Sequence, residues 1–275
     1  MMANVGAFTV VASLALNAAA AHGQSVAPEG LAAAALANRE YSWITRQAPG
    51  FRAYFLTDSY PARHQDSLLA RLDPALSHAR SLIGAAPLKE PVDVFFIETR
   101  AQMRGIVGAA VTGFAQPSAR AVFLVTNPEW RAFERHEVAH VVVGQAWGRA
   151  APNMDWLVEG IAQAADGTCG GFTNSDVAIA LAERHGWLPF DDLLLRFRAQ
   201  GDLRAYLQAA AFAAVLLRDE FASALSDLWK NGATRESAVG GRTLGEIEAS
   251  WRGALRATRT VPAAQLDVIE ERGCG

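Results

Sequence analysis

The sequence predicts an α+β fold, with a small mixed sheet and accompanying helices up to about residue 126 and a mostly helical half beyond it. Two observations predict this. Short β-rich runs bordered by Pro, Gly, Asn or Asp fall in the first half, while apolar residues recur at helical spacing in segment after segment from residue 127 onward.

In chain order, residues 31–43 are Ala-rich and helical in propensity, ended by a turn at Pro49-Gly50. Residues 52–56 (Arg-Ala-Tyr-Phe-Leu) form the first β-rich run. A helix over 62–83 follows, with Leu68, Leu69, Leu72 and Leu76 on one stripe and Pro74 expected to kink or divide it. The runs Val92–Ile97 and Ala121–Val125 read as two more strands. Helical patterns then cover 128–147, 155–166, 174–185, 203–217, 219–229 and 244–257. Breaks at 148–152 and 167–171 make the first two a helical hairpin and place a loop after it. No internal repeat is evident from the pattern.

Composition narrows the class. A chain of 275 residues that is 51% hydrophobic can bury a sizeable core. No linker divides it, so residues 24–257 read as one domain and 258–275 as a C-terminal tail. The net charge of −3, without a dense Lys/Arg cluster, lacks the electrostatic footprint of nucleic-acid binding. Residues 3–21 carry no charged side chain and end in small residues, so 1–23 read as a signal peptide and the protein as exported, periplasmic or secreted. Because a positively charged start is missing, an uncleaved membrane anchor stays open. Cys169 and Cys274 are too few for a disulfide framework, and both a pair and a free buried Cys169 remain open.

The chemistry is carried by His136-Glu137-Val138-Ala139-His140, followed after eighteen residues by Glu159 in Trp156-Leu157-Val158-Glu159-Gly160-Ile161-Ala162. On a helix, i and i+4 lie on one face, so two imidazoles can grip one divalent ion with Glu137 beside them. The alternative is a satisfied polar helix face, but Val138, Ala139, Val141, Val142 and Val143 make this helix apolar and buried. Buried imidazoles and a carboxylate need partners, and a cation is the direct one. Glu159 sits in a helix whose neighbouring positions are uncharged. Folding that helix back onto the first would bring it to the metal as a third ligand, leaving a fourth position for water, the arrangement of a catalytic zinc site. Glu137 then serves as general base. Tyr206 is a candidate donor to the developing oxyanion, although Leu203, Tyr206, Leu207 and Ala210 also read as a core stripe.

These motifs resemble the gluzincin branch of zinc metallopeptidases, and most closely the short bacterial peptidase MA-like metallohydrolases, over roughly residues 51–257. The resemblance implies a thermolysin-like zincin fold, one zinc ion on His136, His140 and Glu159, catalysis by Glu137 with support from Tyr206, and a peptide or protein substrate held along a sheet edge. The run 121–125, just before the metal helix, is the expected edge, with an ordinary interior strand as its alternative. No Gly-x-Met-Glu-Asn motif is present, so aminopeptidase specificity is not implied. Gln163 and Asp166 are the two candidates to orient a histidine. The metzincin pattern fails, because Val143 and Ala146 occupy its Gly and third-His positions. Two other functions stay open: a non-catalytic envelope binding or assembly protein on a peptidase fold, and a zinc amidase acting on a non-peptide substrate.

Overall fold

The computed structural model describes residues 30–201 and 203–274; the expected signal peptide lies outside the described residues. The architecture is α+β, a small mixed sheet followed by a helical half.

The first helix, α1 (Leu31–Ala37), is shorter than its Ala-rich composition predicts. Trp43, expected at its end, instead opens a strand, β1 (Trp43–Ala48), that pairs with β2 (Phe51–Leu56). Tertiary contacts override propensity here: the Trp43 indole donates to Ala35 O at 3.1 Å and stands edge-on to Phe95. Pro49-Gly50 therefore turns a hairpin rather than ending a helix. A short helix, α2 (Tyr60–Arg63), precedes α3 (Gln65–Ile83), which runs through Pro74 undivided. Pro74 and Ala70, whose carbonyl loses its partner, both lie on the exposed face, where water can replace the missing hydrogen bond.

The rest of the sheet comes from β3 (Val92–Ile97), β4 (Gly113–Gln116) and β5 (Ala121–Val125), with α4 (Arg100–Val107) between β3 and β4. Strand order is β1-β2-β3-β5-β4, with the central three parallel and the outer two antiparallel to their neighbours. The run 121–125 is thus an interior strand paired on both sides, not an edge. Its five residues are all buried, as an unbroken apolar run requires of a strand covered on both faces. The edge on that side is β4, four residues too short to announce themselves in the sequence.

The metal-helix candidate is α5 (Glu134–Trp147), returned on by α6 (Asp155–Asp166). One sheet face packs against α3 and α5 through Phe51, Phe55, Phe96, Leu72 and Val142; the other packs Phe95 and Phe123 with Met103 of α4. A third core fills the helical half. Its elements are β6 (Thr168–Cys169), β7 (Phe172–Thr173), α7 (Asn174–His185), α8 (Phe190–Leu195), α9 (Phe197–Gln200), α10 (Leu203–Leu216), α11 (Asp219–Asn231), β8 (Ala238–Val239), β9 (Arg242–Thr243), α12 (Leu244–Ala254) and α13 (Ala263–Arg272).

A short recurrence escapes the periodicity. The β6–β7 and β8–β9 ribbons are two-residue hairpins on Gly-Gly pairs, all four glycines at positive φ as a type I′ turn demands. Each ends on a threonine, Thr173 or Thr243, whose hydroxyl caps the following helix.

Residues 258–274 are not a tail. Leu266 and Ile269 of α13 are buried in the helical core, Cys274 is bonded to Cys169, and Asp176 accepts hydrogen bonds from Thr258 N at 2.7 Å, Thr258 Oγ1 and Arg259 N at 3.1 Å. The disulfide spans 105 residues, so restricting the unfolded chain contributes about 2–5 kcal/mol. Cys274→Ser should lower the urea unfolding free energy by that amount; an unchanged midpoint would show that the bond does not hold the arm. Burial works against the charged Asp176 carboxylate, but the hydrogen bonds from Thr173, Arg259 and Thr258 prevail and hold it below the usual aspartate value. Its contribution is therefore present above about pH 4 and lost as pH falls through its folded value. Asp176→Asn should cost about 1.5–3 kcal/mol at pH 7, and the gap between variant and parent should close on acidification.

Candidate metal centre

Helix α5 is buried from Glu134 to Val143 apart from Arg135, a stretch that includes His136, Glu137 and His140. The i,i+4 spacing brings the two imidazoles together edge-on, with their Nε2 atoms 3.1 Å apart. The turn between α5 and α6 sets Glu159 opposite them, with its Oε2 3.4 Å from His136 Nε2 and 3.7 Å from His140 Nε2. His136, His140 and Glu159 thus form a buried group that could hold one metal ion. The point in their plane equidistant from the three atoms lies about 2.0 Å from each, close to the length of a bond from zinc to nitrogen or oxygen.

The electrostatics fit such a group. Glu137 and Glu159 are fully buried, and none of their four oxygens has a hydrogen-bond partner. An unpaired buried carboxylate costs several kcal/mol, a penalty that a cation removes. Burial pushes Glu137 up to about 7, against the lowering effect of His136 and with the help of Glu159. Burial, with the charges of His136 and Arg198, takes His140 down to about 4 despite Glu159, so its ring is neutral as a ligand must be. For His136, burial opposes protonation, but the Glu159 carboxylate 3.4 Å away and the charge of Glu137 outweigh it and raise the ring above the ordinary value. Burial likewise opposes ionisation of Glu159, and His140, His136 and Arg198 overcome it to hold Glu159 low.

Tyr206 of α10 comes to the same place. Its ring lies 5.0 Å from Phe197, and its hydroxyl is kept protonated first by burial and then by the charge of Glu159, with Glu137 also acting on it. Of the two orienting candidates, Gln163 donates to Asn174 Oδ1 at 3.2 Å, whereas Asp166 accepts from Arg131 at 2.7 Å and its charge acts on His136. His185 lies outside the site, bound to Glu270 at 2.6 Å.

Two residues went unnoticed in the sequence. Gly113, in edge strand β4, packs on Glu137: a Cβ there would sit 2.8 Å from the Glu137 carboxyl carbon and nearer still to Oε1. Arg198 of α9 donates to Asp155 at 2.9 Å and lies 3.7 Å from Glu159 Oε1. Neither belongs to a local motif, since Gly113 is about twenty residues before α5 and Arg198 about forty beyond Glu159; only the folded topology unites them.

Because a metal must displace the proton favoured on His136, binding should release protons and weaken as pH falls through and below the range of that ring. Calorimetric titration with zinc in buffers of different ionisation enthalpy checks this; a binding constant flat from pH 8 to pH 5 would contradict it.

No protein-family model matches this chain and no curated protein is significantly similar to it, so its function must be argued from the geometry of this site.

Proposed function

We propose that the protein is a zinc-dependent peptidase of the gluzincin type, with His136, His140 and Glu159 holding one zinc ion and Glu137 acting as general base. The observation that carries this reading is the Glu137 carboxylate, fully buried and unpartnered beside a group of two imidazole nitrogens and one carboxylate oxygen whose spacing suits one ion. Two nitrogens and an oxygen at an open position favour zinc over the harder divalent ions.

When bound, zinc would supply a Lewis acid for the scissile carbonyl and make water acidic enough to be deprotonated near neutral pH. Glu137 accepts that proton on a carboxylate oxygen and returns it to the leaving amine nitrogen. Its raised proton affinity suits both halves of the task, since a base and acid near the working pH transfers in either direction at low cost. Tyr206 keeps its proton and donates a hydrogen bond to the oxygen that gains charge. A substrate in extended form adds to the free edge of β4, which replaces 121–125 as the binding edge and passes directly over Glu137 at Gly113.

The helical pair α5–α6 beside a mixed sheet supports a thermolysin-like zincin arrangement. The Cys169–Cys274 bond supports an oxidising, exported location, and no helix among the described residues is long and apolar enough to cross a membrane.

Three measurements test the reading. Zinc should copurify at one ion per chain and be lost in Glu159→Ala; equal zinc in that variant would remove Glu159 from the ligand set. Glu137→Gln should keep zinc while lowering hydrolysis of a peptide library about 10²–10⁴-fold. Zinc retained without any Glu137-dependent cleavage would be fatal to the enzyme reading. Gly113→Ala should displace the Glu137 carboxylate and cost on the order of 10²-fold in kcat with zinc content unchanged; full activity would show that the close approach is incidental.

A further inference from the structure

The proposed chemistry leaves one charged residue of the centre without a role. Arg198 lies on the four-residue helix α9, yet its backbone is well anchored, because the neighbouring Phe197 is buried in the helical core against Tyr206. That anchor aims the guanidinium back at α6, where Asp155 and Glu159 stand at i and i+4 on one face. One terminal nitrogen, Nη2, serves both: it is 2.9 Å from Asp155 Oδ1 and 3.7 Å from Glu159 Oε1. The Glu159 carboxylate is thereby divided, with Oε2 toward the two histidine nitrogens and Oε1 toward the guanidinium.

This division matters because a carboxylate can hold a cation through one oxygen or through both. The difference consumes a coordination position, and a catalytic centre needs that position for water. A guanidinium, charged at every accessible pH, opposes the rotation that would bring Oε1 onto the ion. Resting on the metal-dependent reading above, we infer that Arg198, clamped by Asp155, is a positioning residue that fixes Glu159 as a one-oxygen ligand and so keeps the fourth position open.

The test uses the full-length protein loaded with Co²⁺, whose visible absorption reports coordination number, beside Arg198→Ala, Arg198→Lys and Asp155→Asn. All four proteins should bind one ion per chain. The intense band of a four-coordinate centre should fall by about twofold or more in Arg198→Ala as the carboxylate turns both oxygens to the metal. Arg198→Lys should restore much of the band, and Asp155→Asn should shift it in the direction of the alanine variant. If Arg198→Ala does not fold, as judged by circular dichroism, Asp155→Asn carries the same comparison. Spectra that superimpose on the parent's overturn the role of Arg198 while leaving the metal site intact, whereas a parent that binds no cobalt overturns the metal reading itself.

Discussion

The structure depends most on a concentration of charge where water is absent: two fully buried carboxylates, Glu137 and Glu159, against the paired imidazoles of His136 and His140. In a low-dielectric interior, like charges at such separations repel far more strongly than in water. The chain without a cation answers by holding protons, on Glu137 because burial favours its neutral form and on His136 because the neighbouring carboxylates outweigh burial. His136, His140 and Glu159 could hold one metal ion, and such a cation would relieve the conflict.

The surrounding fold holds these groups in place. The parallel centre of the sheet is buried on both faces, giving α5 a rigid floor made of Val122 and Leu124 with Val138 and Val142. The antiparallel edge strand β4 pairs Gly113 with Leu124 of β5, and there Gly113 packs on Glu137. From the other side, α10 packs closely on α6 and delivers Tyr206. Glu137, Glu159 and Tyr206 therefore come from three packed helices, α5, α6 and α10, held by apolar contacts rather than by the polar groups they present.

The sequence made some of this legible and not the rest, for physical reasons. His136 and His140 could be read because helical spacing is local, and Glu159 because a charge in an otherwise apolar stretch needs an explanation. The α+β division followed from periodicity. Trp43 misled because the Ala-rich run before it has high helix propensity, which a cross-strand partner and the Phe95 ring override. The edge was assigned to β5 because β4 is only Gly-Phe-Ala-Gln, too short for alternation to register. The cysteine pair could not be chosen over a free thiol, since its partners are 105 residues apart and meet only once α13 has packed. Arg198 and Gly113 carry no signature at all, because what they do depends on distances that only the closed fold creates.

Helix α6 shows how the fold converts such long-range contacts into precision at Glu159. Each end of the helix is held by an arginine from outside it: Arg198 on Asp155 at the first turn and Arg131 on Asp166 at the last. The first aspartate is favoured by the helix dipole even without its partner, whereas the second faces the negative end and needs one. Arg131 comes from the segment leading into α5, so the ion pair at Asp166 also joins α6 to that segment. Immediately beyond Asp166, the β6–β7 hairpin is tied through Cys169 to Cys274, which fixes the far end of α6 to the C-terminal arm. Glu159 lies between these two anchorages, an ion pair at the first turn and an ion pair followed by the disulfide-tethered hairpin at the last. The placement of Glu159 thus depends on the helical half of the chain as a whole.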